Sequence, residues 1–126
     1  MVLTSFASDR SLVAVRMDAV RRDNEIELRF DLPGIDRESI DVTVDRGVLT
    51  VSAKRSQEYA DNEKPFIRER VMGTFTRKLR LADTVDADNI AASYDGGVLT
   101  VLVPLTERAQ PRKIEVGTPE PAAVAA

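Results

Sequence analysis

The sequence contains no cysteine and no histidine in 126 residues. Without cysteine there can be no disulfide and no thiol nucleophile. Without either residue type, zinc sites of the usual kind and imidazole acid–base catalysis are excluded. A cysteine-free chain also fits a reducing compartment. We therefore expect no catalytic residue, no metal site and no cofactor.

The chain also lacks a basic run and a long apolar run. Eighteen Lys and Arg residues stand against 21 Asp and Glu, for a net charge of −3, so binding to nucleic acid through phosphate contacts is not expected. No stretch approaches the ~20 apolar residues that cross a bilayer. The first fifteen residues lack the basic start and apolar run of a secretory signal. We predict a cytoplasmic protein with neither nucleic-acid nor membrane partners.

What the sequence does contain is a repeated pentapeptide. Gly-Val-Leu-Thr-Val occupies residues 47–51 and again 97–101, 50 residues apart. Each copy follows a turn, Asp45-Arg46-Gly47 or Asp95-Gly96-Gly97, and glycine in such a position adopts positive φ at little cost. Each copy thus predicts a β-hairpin. An internal duplication and convergence on a good turn sequence are both open interpretations.

Alternation of apolar and polar residues predicts further strands. The clearest runs from Glu25 to Leu32, and others are expected near residues 13–19 and 73–81. No segment has a helical period, so we predict seven to nine strands in an all-β, antiparallel, immunoglobulin-like β-sandwich. Arg77 falls on the apolar face of its strand, where a snorkelling or an interface position would accommodate the charge. The carboxylates of Glu25 and Glu27 fit the solvent-exposed face of a strand better than a catalytic pair.

Three segments outside this pattern carry apolar residues. Residues 1–15 are either a frayed terminus or an arm that contacts other subunits or non-native chains through Val2, Leu3 and Phe6. Residues 55–70 form a charged loop that is either solvated or docked on another chain. After Pro104 the chain turns polar, and residues 117–126 are expected to be disordered. Within this tail Ile114 and Val116 are either a chance pair or two side chains that fit sockets elsewhere, since they point the same way in an extended segment.

Three motifs, in order, resemble one family. They are Phe30-Asp31-Leu32-Pro33-Gly34-Ile35, the turn-containing run from Ala92 to Leu99, and Ile114-Glu115-Val116. The chain resembles the small heat-shock proteins of the bacterial type, which are built on the α-crystallin domain. The usual Asn-like position of the second motif is Gly96 here.

The resemblance implies an organisation and an activity. Residues 1–15 would be a short N-terminal arm, 16–105 the α-crystallin domain and 106–126 a C-terminal extension. The family implies an ATP-independent chaperone, or holdase, that binds partly unfolded client proteins and prevents their aggregation, assembling from dimers into oligomers. The alternative is a non-catalytic β-sandwich that serves as a co-chaperone or adaptor.

The resemblance also implies site residues. Residues 59–70 would reach the first strand of a second subunit, which gives a dimer interface of Met17, Ala19, Tyr59, Phe66, Ile67 and Arg77. Ile114 and Val116 would enter a groove on a neighbouring dimer, lined by Val42, Val44, Ala92 and Tyr94. Val2, Leu3 and Phe6 would be candidate client contacts.

Overall fold

A computed structural model of the chain describes residues 3–6, 15–107, 111 and 113–118, with the backbone alone at 3–6. Its strands pair into two four-stranded antiparallel sheets, which confirms the predicted β-sandwich. In chain order the strands are β1 (Leu3–Phe6), β2 (Met17–Arg21), β3 (Glu25–Asp31), β4 (Asp41–Asp45), β5 (Val48–Arg55), β6 (Gly73–Leu81), β7 (Ala91–Asp95) and β8 (Val98–Pro104). Single turns of 3-10 helix at Arg37–Ser39 and Ala87–Asn89 precede β4 and β7.

Burial alternates along the long strands, which is why these segments fold as strands. In β3, Ile26, Leu28 and Phe30 are buried, whereas Arg29 and Asp31 face solvent. The inner faces of β5, β6 and β8 follow the same period. Because the apolar face of each sheet packs against the other, the buried side chains form one core between the layers.

The strand order places the two repeated hairpins at equivalent positions. The first sheet has the order β1-β6-β5-β4 and the second β2-β3-β8-β7. In each hairpin one strand, β5 or β8, is internal and the other, β4 or β7, forms an edge. The register is also the same, because Asp41 pairs with Ser52 and Ala91 pairs with Leu102.

The structural repeat begins before the hairpins. The carboxylates of Asp36 and Asp86 accept hydrogen bonds from the amides of Glu38 and Asp88, at 3.1 and 3.2 Å, and so cap the two 3-10 turns. These aspartates are again 50 residues apart. The match is compatible with duplication and with convergence, because aspartate is favoured as the cap of such a turn whatever its origin.

Both hairpins close through two-residue turns with positive φ. The φ angles are 51° and 77° at Arg46 and Gly47, and 59° and 81° at Gly96 and Gly97. Positive φ at both positions characterises the type I′ turn, whose twist matches that of paired strands. Arg46 is the one residue other than glycine with positive φ in the described part of the chain. The first turn therefore carries backbone strain that the second does not.

The N-terminal part differs from the predicted pattern. The strand expected near residues 13–19 begins at Met17 and extends to Arg21, and Val13 lies outside the described residues. Leu3–Phe6 shows no alternation in the sequence, yet its backbone pairs with Lys78 to Leu81 of β6. Such pairing at a sheet edge uses backbone N–H and C=O groups. It does not require alternating apolar and polar side chains, so the sequence pattern does not predict it.

Arg77 lies on the inner face of β6 and is 5% exposed. Its Nη1 donates a hydrogen bond to the Val15 carbonyl at 2.7 Å. Burial lowers the pKa of the Arg77 guanidinium from its ordinary value, because desolvation disfavours the charged form. The side chain anchors the segment that leads into β2, and its place at a dimer interface stays a prediction.

Candidate binding groove and the surfaces around it

An open groove runs between the edge strands of the two sheets. Its volume is about 500 Å³, and its lining residues are Arg37, Ile40, Val42, Ala92, Ser93, Tyr94 and Leu99. Three of the four residues predicted for the groove, Val42, Ala92 and Tyr94, are therefore brought together. Val44 lies further along β4 and is exposed rather than part of the lining.

Hairpin geometry determines what the groove offers to a ligand. The residues that flank a two-residue turn exchange both backbone hydrogen bonds, so the next pair, Tyr94 and Leu99, is a non-hydrogen-bonded pair. The N–H and C=O of Tyr94, and by the same alternation those of Ala92, face the open edge of β7. Val42 occupies the matching position on β4. The groove combines apolar side chains with edge groups that can pair with an extended segment.

Tyr94 and Arg37 close one end of the groove. The Tyr94 hydroxyl donates to the Leu32 carbonyl at 2.5 Å, which ties β7 to the residue that follows β3. Arg37 Nη2 donates to the Tyr94 carbonyl at 2.7 Å, and its guanidinium carbon lies 6.0 Å from the Tyr94 ring centroid. Sequence reasoning missed Arg37, Ile40, Ser93 and Leu99. The repeat offered a signal for Ile40, which aligns with Ile90, but none for Arg37.

Arg55 holds the base of the long loop. It is nearly buried, and it donates from Nε to the Pro33 carbonyl at 2.9 Å and from Nη1 to the Val71 carbonyl at 3.0 Å. Its guanidinium carbon also lies 5.4 Å from the Phe75 ring centroid. Arg55 therefore joins the end of β5 to the end of the loop, so that residues 56–70 project from a fixed base.

The loop itself exposes apolar side chains. Phe66 is 92% exposed, and Ile67 and Tyr59 are also exposed. They border a shallow pocket of about 330 Å³ together with Glu63, Lys64 and Pro65. Within this chain residues 56–72 contain no strand. A strand that forms only by pairing with a second subunit would leave this picture unchanged, so the predicted exchange stays a prediction.

The remaining predicted residues lie on separate surfaces. Met17 is half-buried against the core, and Ala19 is exposed on β2, which forms the edge of the second sheet opposite β7. Ile114 and Val116 are 84% and 98% exposed in a segment without regular structure. Val2 and the side chains of Leu3 and Phe6 lie outside the described residues, so their predicted contacts with clients stay predictions.

Charges on the outer face of the second sheet are paired. Glu27 Oε2 lies 3.1 Å from Arg22 Nη2 and 3.4 Å from Arg29 Nε. The hydrogen bond from Arg22 holds the pKa of the Glu27 carboxyl below its usual value, against a smaller opposing effect of desolvation. Among the described residues no group of three or more Asp or Glu side chains could hold a metal ion. None of the helices described is long and apolar enough to cross a membrane.

Comparison with known proteins identifies the family. The sequence profile of the Hsp20/alpha crystallin family matches residues 18–117. The chain belongs to the Hsp20/alpha crystallin family. The 18 kDa heat shock protein of Streptomyces albus G is 43% identical over 108 residues, which cover 85% of this chain and 76% of that protein. The 18 kDa antigen 1 of Mycobacterium avium is 47% identical over 108 residues, 83% of this chain and 73% of that protein.

Solved structures of Hsp20/alpha crystallin proteins share the fold. A small heat-shock protein from Xylella fastidiosa aligns with a TM-score of 0.68 and 38% identity, over 82% of this chain and 96% of that one. Heat shock protein 16.0 from Schizosaccharomyces pombe aligns with a TM-score of 0.70 and 28% identity, over 83% and 98%. The predicted resemblance to small heat-shock proteins is confirmed, and membership of the family supports a chaperone role.

Proposed function

We propose that the protein is an ATP-independent holdase that binds partly unfolded proteins and assembles from dimers into oligomers. The observation that carries the proposal is the apolar groove between β4 and β7, together with the two exposed aliphatic side chains in the tail. Small aliphatic side chains in an extended segment suit a groove of about 500 Å³ with pairing groups on its edges. The small heat-shock protein of Xylella fastidiosa is described as having a distinct high order structure.

The natural occupant of the groove in an assembly is the tail of a neighbouring copy. Ile114 and Val116 point the same way when the tail is extended, and both are available because they are exposed. In the proposed assembly the tail of one dimer enters the groove of the next. Docking then links dimers without any change in the sandwich.

Tail docking of this size should be reversible. Two buried aliphatic side chains contribute about 1.5–3 kcal/mol each, whereas ordering each tail residue costs about 1–2 kcal/mol. The two contributions are comparable, so the net affinity of one tail is low. Grooves that empty and refill present apolar surface to a client with exposed aliphatic segments, and no nucleotide is needed to drive the exchange.

Dimers are proposed to form through the long loop. The edge of β2 offers unpaired backbone groups, and exposed Val20 lies on it. Residues 59–70 of a partner subunit supply a segment with exposed Phe66 and Ile67. Strand addition at this edge would cover both surfaces.

Suppression of heat-induced aggregation tests the holdase directly. A heat-labile enzyme is warmed with an equimolar amount of the full chain in the absence of ATP, and light scattering is recorded. We expect the scattering to be suppressed, with no further change on adding ATP. Undiminished scattering at this ratio would contradict the holdase and favour the adaptor alternative.

A further inference from the structure

We infer that Arg37 gates the groove and selects a docking segment with an acidic residue between its two aliphatic side chains, namely Glu115 of another copy. The inference rests on the proposed docking of the tail, and it assigns a specificity-determining contact to that site. It is carried by the position of Arg37, by the backbone acceptor that Arg37 occupies, and by the order of charges in the tail.

Arg37 is the one charged residue among those that line the groove in the described part of the chain. It begins the 3-10 turn that Asp36 caps, and its side chain reaches across to the opposite sheet at β7. The residue is exposed, so the guanidinium stands at the mouth of the groove. The other lining residues are apolar apart from Ser93 and the Tyr94 hydroxyl, which bonds to Leu32.

The guanidinium occupies a position that a docking strand needs. The Tyr94 carbonyl faces the open edge of β7, because Tyr94 belongs to a non-hydrogen-bonded pair in the hairpin. Arg37 Nη2 donates to this carbonyl at 2.7 Å. A segment that pairs with β7 brings its own N–H to the same oxygen, so it competes with Arg37 for this acceptor and crowds the guanidinium out of the edge. The displaced guanidinium is left to water unless the docking segment itself offers a better acceptor.

The tail carries that acceptor at the matching place. When Ile114 and Val116 point into the groove, the side chain of Glu115 between them points towards the mouth. A carboxylate is the preferred partner of a guanidinium, because it accepts charge-assisted hydrogen bonds in a bidentate geometry. Displacement of Arg37 from a neutral carbonyl is thus coupled to formation of an ion pair.

The same contact fixes the register of the tail. Lys113 lies on the same side of an extended tail as Glu115, two residues away. If the tail docked two residues out of register, Lys113 would lie opposite Arg37, and the two positive charges would repel each other. Arg37 therefore disfavours the shifted register as well as favouring the correct one.

A double-mutant cycle on the full chain tests the contact. The dissociation of the assembly on dilution is followed by sedimentation velocity at low salt. We expect Glu115→Gln to weaken docking by roughly two- to five-fold, the range for an exposed ion pair. In an Arg37→Ala background the same change should have no effect, and the reversed pair Arg37→Glu with Glu115→Arg should recover the loss of either single reversal. Raising the salt concentration should shrink each difference.

Charge changes elsewhere on the chain provide the controls. Lys54→Glu on β5 and Glu107→Arg in the extension alter exposed charges that do not line the groove, and both should leave dissociation unchanged. Equal effects of Glu115→Gln in the two backgrounds would overturn the inference. The variant Ile114→Ala with Val116→Ala separates the two proposals: if it leaves the assembly intact, tail docking itself fails, whereas if it dissociates the assembly and the charge cycle shows no coupling, only the role of Arg37 fails.

Discussion

Arg46 and Gly96 occupy the same place in two otherwise matched turns, and only Gly96 suits its backbone. Both have positive φ, at 51° and 59°, a region that costs an L-residue about 1–2 kcal/mol. A Cβ added at Gly96 would meet no atom within 4 Å, so the cost of a side chain there is conformational. We expect Gly96→Ala to lower the free energy of unfolding by about 1 kcal/mol, as measured by urea denaturation.

The first turn gives the converse comparison. Arg46→Asn should raise the free energy of unfolding by about 0.5 kcal/mol, because asparagine tolerates this region better than arginine. Gly97→Ala should cost more than Gly96→Ala, since its φ of 81° lies further from the left-handed region that L-residues tolerate, and its Cβ would also touch Pro33 Cα at 3.4 Å. Equal losses at the two glycines would show that neither the larger φ nor the contact with Pro33 adds to the cost.

The carboxyl of Glu27 predicts a pH dependence. Its pKa is held below its usual value, chiefly by the hydrogen bond from Arg22. A lowered carboxyl pKa stabilises the fold at pH values above the unfolded pKa, and the stabilisation disappears as pH falls through the folded pKa. Wild type should therefore exceed Glu27→Gln in stability near neutral pH and lose this advantage in acid. Urea denaturation from about pH 7 to about pH 3 measures the difference, and a difference that grows in acid would contradict the assignment.

At the residue scale, alternation and family resemblance located part of the groove. Val42, Ala92 and Tyr94 were placed in the groove by the resemblance to small heat-shock proteins, and the repeat showed only that they belong to two matching hairpins. Arg37 could not be placed, because its contact joins residues 57 apart and nothing in the local pattern distinguishes it from another solvated charge. The contacts of Arg55 could not be predicted for the same reason, since the two carbonyls to which it donates belong to two different loops.

At the scale of elements, the loop separates stability from association. Phe66 is 92% exposed and contributes little to the core of its own chain. We expect Phe66→Ser with Ile67→Ser to leave thermal unfolding of the sandwich unchanged and to shift dimers towards monomers, because the apolar surface offered to a partner is lost. Sedimentation equilibrium measures the shift.

A matched change within the loop is the control. Lys64→Ser shortens an exposed side chain beside the same shallow pocket and should leave the dimer intact. If the Phe66 and Ile67 variant remains a dimer, the loop is not the dimer contact. A different surface must then form the dimer interface.

The sequence predicted the elements according to how they are stabilised. β3, β6 and the two hairpins were found within a few residues, because each carries alternation or a turn signal of its own. β1 was not found, because its pairing with β6 is a property of the sheet edge and not of its four residues. The two 3-10 turns were not predicted, because one helical turn is too short to show a period in the sequence. Asp36 and Asp86 are nevertheless the capping residues that such turns favour.

For the whole molecule, the tail should control assembly without affecting the fold. Ile114 and Val116 are almost fully exposed in the single chain, so truncating them removes no core contact. We expect Ile114→Ala with Val116→Ala to reduce the assembly towards dimers while leaving thermal unfolding unchanged. Light scattering coupled to size exclusion measures the mass, and an unchanged mass would contradict the proposed docking.

The sandwich followed from the sequence because strand period and turn spacing are properties of one chain. Assembly did not follow in the same way, because the partner of an edge or a groove is not encoded in local pattern. The tail shows the difference: its two aliphatic side chains could be recognised as detached from the core, but their destination rests on resemblance and on the geometry of the groove.

Strand order also determines when the chain can fold during synthesis. The first sheet is complete once Leu81 has emerged from the ribosome, because β1, β4, β5 and β6 all precede that point. In the second sheet Arg29 of β3 pairs with Thr100 of β8. This pairing cannot form until some seventy further residues have been added to the chain. Through that interval an apolar strand stands with one edge unpaired, which is the condition that promotes aggregation of nascent chains. This member of a chaperone family is thus itself prone to aggregation during its synthesis, and slow translation between residues 81 and 98 should prolong that interval.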